Sequence, residues 1–447
     1  MGDFRAIADR IAADIASGRL RAGQQLPPQR WFARRHRIAP STAGRVYSEL
    51  VRRGLVVGEV GRGTFVRAAP ETAQGRALIE EATAAPVNLE LNYPVVAGQS
   101  ELLGHALTPL LRPDVLGEAL RPGAATGTPA AREAAARLLA LPGWRPGPDR
   151  LLFTGNARQA IAAALASLVR PGGRVGVEEL TYPLVKEVAA RLGVVLVPLA
   201  GDGEGGVPPD ALRAAHRAAP LSALYLQPTL HNPTSVTMTD ARKRELARAV
   251  ADLDIPVVED RIWSFLHPDP APFAAHAPSL THVVDGLSKR VAPGLTVGFL
   301  VVPQGRVEAV AAAVRSGGWS AAGFALEAAV RWVEEGIVAR LVEEKRADVT
   351  RRQALLAEHL GAFSVRTDPR AYFAWWELPA PWRADTFTAA AAAHGIAVTP
   401  GTAFAVDPHR TPDAVRLGLA SAPEGELARA LRTLAGLAAG GPSGSGG

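Results

Sequence analysis

The chain has 447 residues, 48% hydrophobic and 21% charged, with no cysteine and a net charge of +6. That length suggests two or three domains rather than one core, and the missing cysteines exclude disulfides, thiolate metal sites and cysteine nucleophiles. The N-terminus lacks the apolar core of a signal peptide and no run of about eighteen apolar residues occurs, so a cytoplasmic protein with no membrane span is expected.

The charge is uneven. Residues 1–69 carry 13 arginines against five acids, a balance of +8, which leaves −2 on the other 378. A basic segment on a near-neutral body is the footprint of a polyanion-binding module. Ile7, Ile11 and Ile15 recur every four residues and predict a helix, ended by Gly18. Leu26-Pro27-Pro28-Gln29-Arg30 opens a second helix on proline. After a turn at 36–39, Pro40–Leu50 predicts a third, with Val46, Leu50 and Val51 inward and Ser41, Thr42 and Arg45 on the other face. Leu55–Val66 reads as a hairpin with its turn at Gly61-Arg62-Gly63.

Three helices and a hairpin with this charge make a winged helix-turn-helix, expected over 1–69. Hydroxyls and an arginine at the start of the third helix suit the major groove of double-stranded DNA. The order Gly18-Arg-Leu-x-x-Gly23, Leu26-Pro27-x-x-Arg30, Thr42, Tyr47, Gly61-x-Gly-Thr-Phe-Val66 closely resembles the GntR-type DNA-binding domain. The resemblance implies DNA contacts by Arg30 and Thr42 and by the Gly61–Thr64 wing, with Arg62, Gly63 and Thr64; Ser41 and Arg45 are expected to join them from the open face of the third helix. Pro40 stands where the family usually has an arginine, so sequence preference does not transfer.

Residues 70–87 read as a linker, with a helical turn or two around 77–82, and 439–447 as a disordered tail. Between them, 88–438 alternates short apolar runs with alanine-rich helices. The expected strands are Leu151–Thr154, Arg174–Val177, Val194–Val197, Ala223–Leu226, Pro256–Glu259, His282–Val284 and Phe299–Val302. This is an α/β pattern with a mostly parallel, buried sheet, whose sites form at strand ends.

The unusual residues fall at those ends. Gly155-Asn156-Ala157 opens a helix and offers backbone N–H groups to a phosphate. Tyr182 can stack on a planar ring, and Asn232 is a polar donor. Asp260 can hold a pyridine nitrogen protonated. Lys289 follows Ser288 and is one of four lysines, against 45 arginines. Arginine cannot act as an amine nucleophile, so a retained lysine suggests Schiff-base chemistry.

That order resembles fold-type I aminotransferases. The resemblance implies pyridoxal 5′-phosphate as cofactor. By the same resemblance, Gly155, Asn156 and Ala157 lie on its phosphate, Tyr182 on its ring, Asn232 on the ring hydroxyl and Asp260 on the ring nitrogen. Lys289 forms the internal aldimine, and Arg416 clamps a substrate α-carboxylate. The chain departs from the pattern at Trp263, usually a tyrosine, whose indole N–H can still donate to the ring oxygen. It departs again at Gly286, usually serine or threonine, and at Thr296, usually a phosphate-binding arginine. Segment 120–127 also lacks the tyrosine that often reaches a neighbouring subunit's cofactor. Arg290 or Arg121 is the available substitute for the lost cation.

A GntR-type head on an aminotransferase-like body is the layout of MocR-type transcriptional regulators. Three readings stand at this point. One is a homodimeric regulator that senses pyridoxal phosphate or its adduct with a small amino compound. The second is a working aminotransferase with an appended DNA-binding head. The third is a cofactor-free body serving dimerisation and ligand sensing. Regulation is preferred, with residual transamination left open, and no metal is called for.

Overall fold

The structure, a computed structural model, describes residues 4–16, 19–20, 24–53, 55–59, 63–66, 85–202, 205–407 and 410–440. The head runs α1 (Phe4–Ala16), β1 (Gln25–Leu26), α2 (Gln29–Arg35), α3 (Pro40–Arg52), β2 (Val56–Glu59) and β3 (Gly63–Val66). Ile7 and Ile11 pack with Phe32, Val46, Tyr47 and Leu50 in one core, and Ile15 rests against it. Pro40 takes the first position of α3, where its missing N–H costs nothing. The Tyr47 hydroxyl donates to the Pro27 carbonyl, tying α3 to the start of α2.

The expected hairpin gains a third strand, since β1 pairs with β3 in the order β1-β3-β2. Val51 is a correction. It is 40% exposed, because it sits one residue beyond the stripe set by Val46 and Leu50. Gly18, Gly61, Arg62 and segment 77–82 lie outside the described residues.

The body contains β4 (Val87–Asn88), β5 (Leu151–Thr154), β6 (Arg174–Glu178), β7 (Val195–Leu199), β8 (Ala223–Leu226), β9 (Val257–Asp260), β10 (Thr281–Gly286) and β11 (Gly298–Val301). The last seven form one sheet, in the order β5-β11-β10-β9-β8-β6-β7. Neighbours from β10 to β7 are parallel, and β11 alone runs antiparallel, to both β10 and β5. All seven strands lie within two residues of their expected bounds. Alternate residues face opposite layers. Leu152, Val258, Val284 and Leu300 join the cluster under helix Ala157–Leu168, whereas Leu151, Phe153, Val283 and Phe299 join the cluster on the far side. A sheet buried on both faces explains the near-continuous apolar runs.

A smaller sheet follows, built from β12 (Val365–Arg366), β13 (Phe373–Glu377), β15 (Thr399–Pro400) and β16 (Ala414–Gly418) in the order β12-β13-β16-β15. Between them β14 (Ile396–Ala397) pairs in parallel with β4, so the body's pairing begins at Val87. Helices Ile337–Leu360 and Glu424–Gly440 pack with this sheet around Trp376, Phe387 and Leu431. The final helix runs to Gly440, past the start expected for the tail. No helix among the described residues is long and apolar enough to cross a membrane.

One glycine ties sheet to site. A Cβ on Gly298 would lie 2.4 Å from the Asn156 backbone and 2.4 Å from Thr154 Oγ1. Gly298→Ala is therefore expected to destabilise the body by about 1–3 kcal/mol through overpacking and to displace the 154–157 turn. Urea unfolding checks this, with a variant as stable as the parent the contrary result.

Candidate functional site

Parallel strands present their carboxyl ends to one edge, and a cavity of ≈ 570 Å³ opens there. Lys289 enters it from the short helix Leu287–Arg290 that follows β10. Its Nζ donates to the Asn92 carbonyl at 2.8 Å. The same nitrogen lies 3.7 Å from the centre of the Tyr93 ring and 5.2 Å from that of Trp263. Asp260 closes β9. Its Oδ2 accepts from the Tyr225 hydroxyl at 2.7 Å and Gln227 Nε2 at 2.9 Å, and its Oδ1 accepts from the Ile262 N–H at 3.0 Å. Burial pushes this carboxyl up, opposed by the three donors.

Asn232 follows β8 and gives its N–H to Gln227 Oε1 at 3.1 Å. Its Oδ1 is buried without a partner, as is Thr296 Oγ1. Arg416, on β16, reaches in from the smaller sheet. It donates to the Glu90 carbonyl at 2.6 Å and to Thr399 Oγ1 at 2.9 Å, while its Nε meets nothing. Burial pulls this guanidinium down to about 10. The Glu90 carboxylate opposes that shift, and a ligand carboxylate would add a second anion.

Nine of the expected residues line this one cavity: Asn156, Ala157, Tyr182, Asn232, Asp260, Trp263, Ser288, Lys289 and Arg416. Gly155 does not. Its N–H donates to the Trp319 carbonyl at 3.1 Å and is not offered to the cavity. Asn156 caps helix Ala157–Leu168 through its side chain. Gly286 has a steric cause. A Cβ there would lie 2.9 Å from the Val297 carbonyl, which leaves no room for a serine or threonine.

Neither proposed substitute cation reaches this cavity. Arg290 is buried against Asp285, and Arg121 is exposed and pairs with Glu118 at 3.0 Å. Arg158 lines the cavity instead, on the first turn of the helix that Asn156 caps. The reading of the sequence missed it. Its signal was a cation just inside a helix that starts at a strand end. Gln227 and Tyr93 were missed as well, because each acts through a loop whose path the sequence does not show.

In the head, Arg30, Ser41 and Arg45 are exposed and Thr42 is half-buried, so the expected face of α3 is open. The Arg45 guanidinium lies 4.1 Å from the centre of the Phe4 ring, which braces it from α1. On β3, Gly63 is exposed and Thr64 half-buried.

Comparison with known proteins decides the family. Residues 116–434 match the family described as aminotransferase class I and II, and residues 4–66 match bacterial regulatory proteins of the gntR family. The chain belongs to the aminotransferase class I and II family. With its gntR-family head it has the MocR-type architecture. It is 29% identical over 419 residues to the uncharacterized HTH-type transcriptional regulator YdeF of Bacillus subtilis, covering 93% of this chain and 90% of that one. It is 26% identical over 422 residues to PtsJ of Salmonella typhimurium, named a vitamin B6 salvage pathway transcriptional repressor, covering 90% of each. An archaeal alanine:glyoxylate aminotransferase shares the fold, with a TM-score of 0.72 at 20% identity over 80% of this chain and 92% of that one.

Within this family fold the four lysines behave alike in one respect: each donates to backbone carbonyls. Lys186 meets Ala405, Lys243 meets Ala271, and Lys345 meets three at once. Rarity therefore marks places where a compact ammonium fits, and only its cavity sets Lys289 apart. Lys345, on helix Ile337–Leu360, holds the carbonyls of Lys289, Arg290 and Val291 at 3.0, 2.8 and 3.0 Å. It fixes the turn that aims Lys289. Lys345→Met strands those carbonyls, and at about 1–3 kcal/mol per unsatisfied buried group a loss of several kcal/mol is expected. Hydrogen exchange checks it: the amides of residues 287–292 should exchange at least tenfold faster, and unchanged rates would refute the clamp.

Proposed function

We propose that this chain is a DNA-binding transcriptional regulator whose body binds pyridoxal phosphate, or its adduct with a small amino compound, as effector. The observation that carries the reading is Asp260, a buried carboxylate with only neutral donors, facing the same cavity as Lys289. A ring nitrogen that bonds Asp260 keeps its proton. When bound, the cofactor supplies an aldehyde for amines and a ring that draws off electrons.

The residues divide the work. Asn156, Ala157 and Arg158 hold the phosphate at a helix N-terminus, with Ser288 and Thr296 opposite. Arg158 takes the place of the cation lost at Thr296. Tyr182 covers the ring face, and Asn232 and Trp263 address the ring oxygen. Lys289 gives the amine that holds the aldehyde. Arg416 takes the carboxylate of the amino compound.

Arg30, Ser41, Thr42 and Arg45, with Arg62, Gly63 and Thr64 of the wing, contact duplex DNA. Two copies of the chain would read paired half-sites. The similarity to PtsJ, named a vitamin B6 salvage pathway transcriptional repressor, supports reading a vitamin B6 compound as effector. The set Lys289, Asp260 and Arg416 favours a second reading, turnover of the amino compound, which half-transamination with an amino-acid panel would detect.

Pyridoxal phosphate should give the full-length protein an absorbance band at about 410–430 nm. Lys289→Ala should lose the band. Arg158→Gln should keep it at saturation but weaken cofactor binding at least tenfold, about 1.4 kcal/mol. No band at saturating cofactor would sink the reading. For the head, Arg30→Ala should weaken duplex binding on all sequences alike and lower the salt slope by about 1. Filter binding across salt concentrations measures both.

A further inference from the structure

A second, smaller cavity of ≈ 170 Å³ opens on the same sheet edge, at the ends of β6, β7 and β8. Its walls are largely apolar, with Leu180, Leu199 and Met238 among them, and Glu178 and Gln227 also line it. Glu178 is 9% exposed. One of its oxygens accepts the Gln227 N–H at 3.0 Å, and the other is buried with no partner.

No cation offsets that carboxylate among the described residues. His231 lines the same cavity, but burial pulls its imidazole down to about 4, so it is neutral. Glu179 and Arg410 already pair at 3.0 Å. Arg366 is at the rim, largely in solvent, 3.8 Å from Glu377. A buried charge left bare is costly unless something pairs with it.

Gln227 belongs to both cavities. Its backbone holds Glu178, its Nε2 holds Asp260 at 2.9 Å, and its Oε1 holds Asn232 at 3.1 Å. A ligand that moves Glu178 therefore acts on two residues that face the larger cavity.

We propose that the smaller cavity is a second ligand site that takes a small aliphatic primary ammonium, its nitrogen on Glu178 and its tail on Leu180, Leu199 and Met238, with Gln227 relaying occupancy to Asp260. A bare acceptor needs a donor, and an uncompensated charge needs a cation. Apolar walls call for an alkyl tail, and an apolar cavity of about 150 Å³ holds six carbons. Calcium or magnesium fits poorly, because each wants six or more ligands, mostly oxygens, and no group of three acids or histidines that could hold any metal forms among the described residues. The site lies apart from the carboxylate clamp at Arg416 and needs no cofactor.

The test titrates full-length, cofactor-free protein with n-butylammonium chloride and with n-butanol of the same shape, by calorimetry. At about pH 8 Glu178, pushed up to about 7 by burial, is mostly ionised. Butylammonium should bind at least tenfold more tightly than butanol, and Glu178→Gln should erase that preference. Val236→Phe, at the half-exposed rim, should weaken both and decides the matter if Glu178→Gln fails to fold. Equal binding of the two probes, a preference that survives in Glu178→Gln, or binding left unweakened in Val236→Phe, overturns the site.

A second arm measures pyridoxamine phosphate affinity with and without saturating butylammonium. A change of threefold or more supports the relay through Gln227, and no change overturns it. If pyridoxamine phosphate does not bind at all, the proposed cofactor role fails, while the first arm still judges the second site.

Discussion

Asp260 is the constraint around which the larger cavity is arranged. A carboxylate at the end of a buried strand costs several kcal/mol unless its charge is met. Here a phenol, a side-chain amide and a backbone N–H meet it, and none of them is a cation. Those donors hold the carboxylate in place and leave its charge to be balanced from the cavity. Gln227 shares the task, because the amide that holds Asp260 also holds the Asn232 backbone. A protonated ring nitrogen would complete the set.

The amine is fixed from another direction. Lys289 lies on a four-residue helix, too short to stand by itself. Lys345 braces it from the long helix Ile337–Leu360, and the Tyr372 hydroxyl lies within hydrogen-bond reach of the Lys345 carbonyl and of Asp348. Arg416 arrives from β16, and Thr399 beside it from β15. The cavity thus gathers its charges from the large sheet, the small sheet and the helices that follow strand ends, with the long helix Ile337–Leu360 bracing the lysine turn from behind. Motion of the small sheet would change the distance between Arg416 and Lys289.

Much of this was legible in the sequence, for physical reasons. Strands buried on both faces appear as apolar runs, so the seven strands of the main sheet could be placed to within two residues. Asp260 and Lys289 stood out because a charge at the end of such a run has few structural uses. The strands β12 to β16 escaped because they are two to five residues long and carry no period. Lys345 escaped because a lysine in mid-helix normally faces water. Arg158 had a faint local signal, a cation in the first turn of a helix that follows a strand. Gln227 depends on where a loop points, and Gly286 on a carbonyl that comes close from Val297, tertiary facts with no local signature. The rarity of lysine is a weak argument for Lys289, since the same scarcity picks out Lys345 and Lys243, which are buried clamps.

The central claim is that cofactor in the body and DNA on the head are linked, and linkage is reciprocal. The direct test selects genomic fragments that bind the full-length protein, then measures one fragment's affinity with and without saturating pyridoxal phosphate. The account predicts a change of about 5–150-fold, the usual range of such coupling, and an equal change in cofactor affinity when the fragment is present. Fragment affinity that stays the same while the cofactor saturates its site would contradict it.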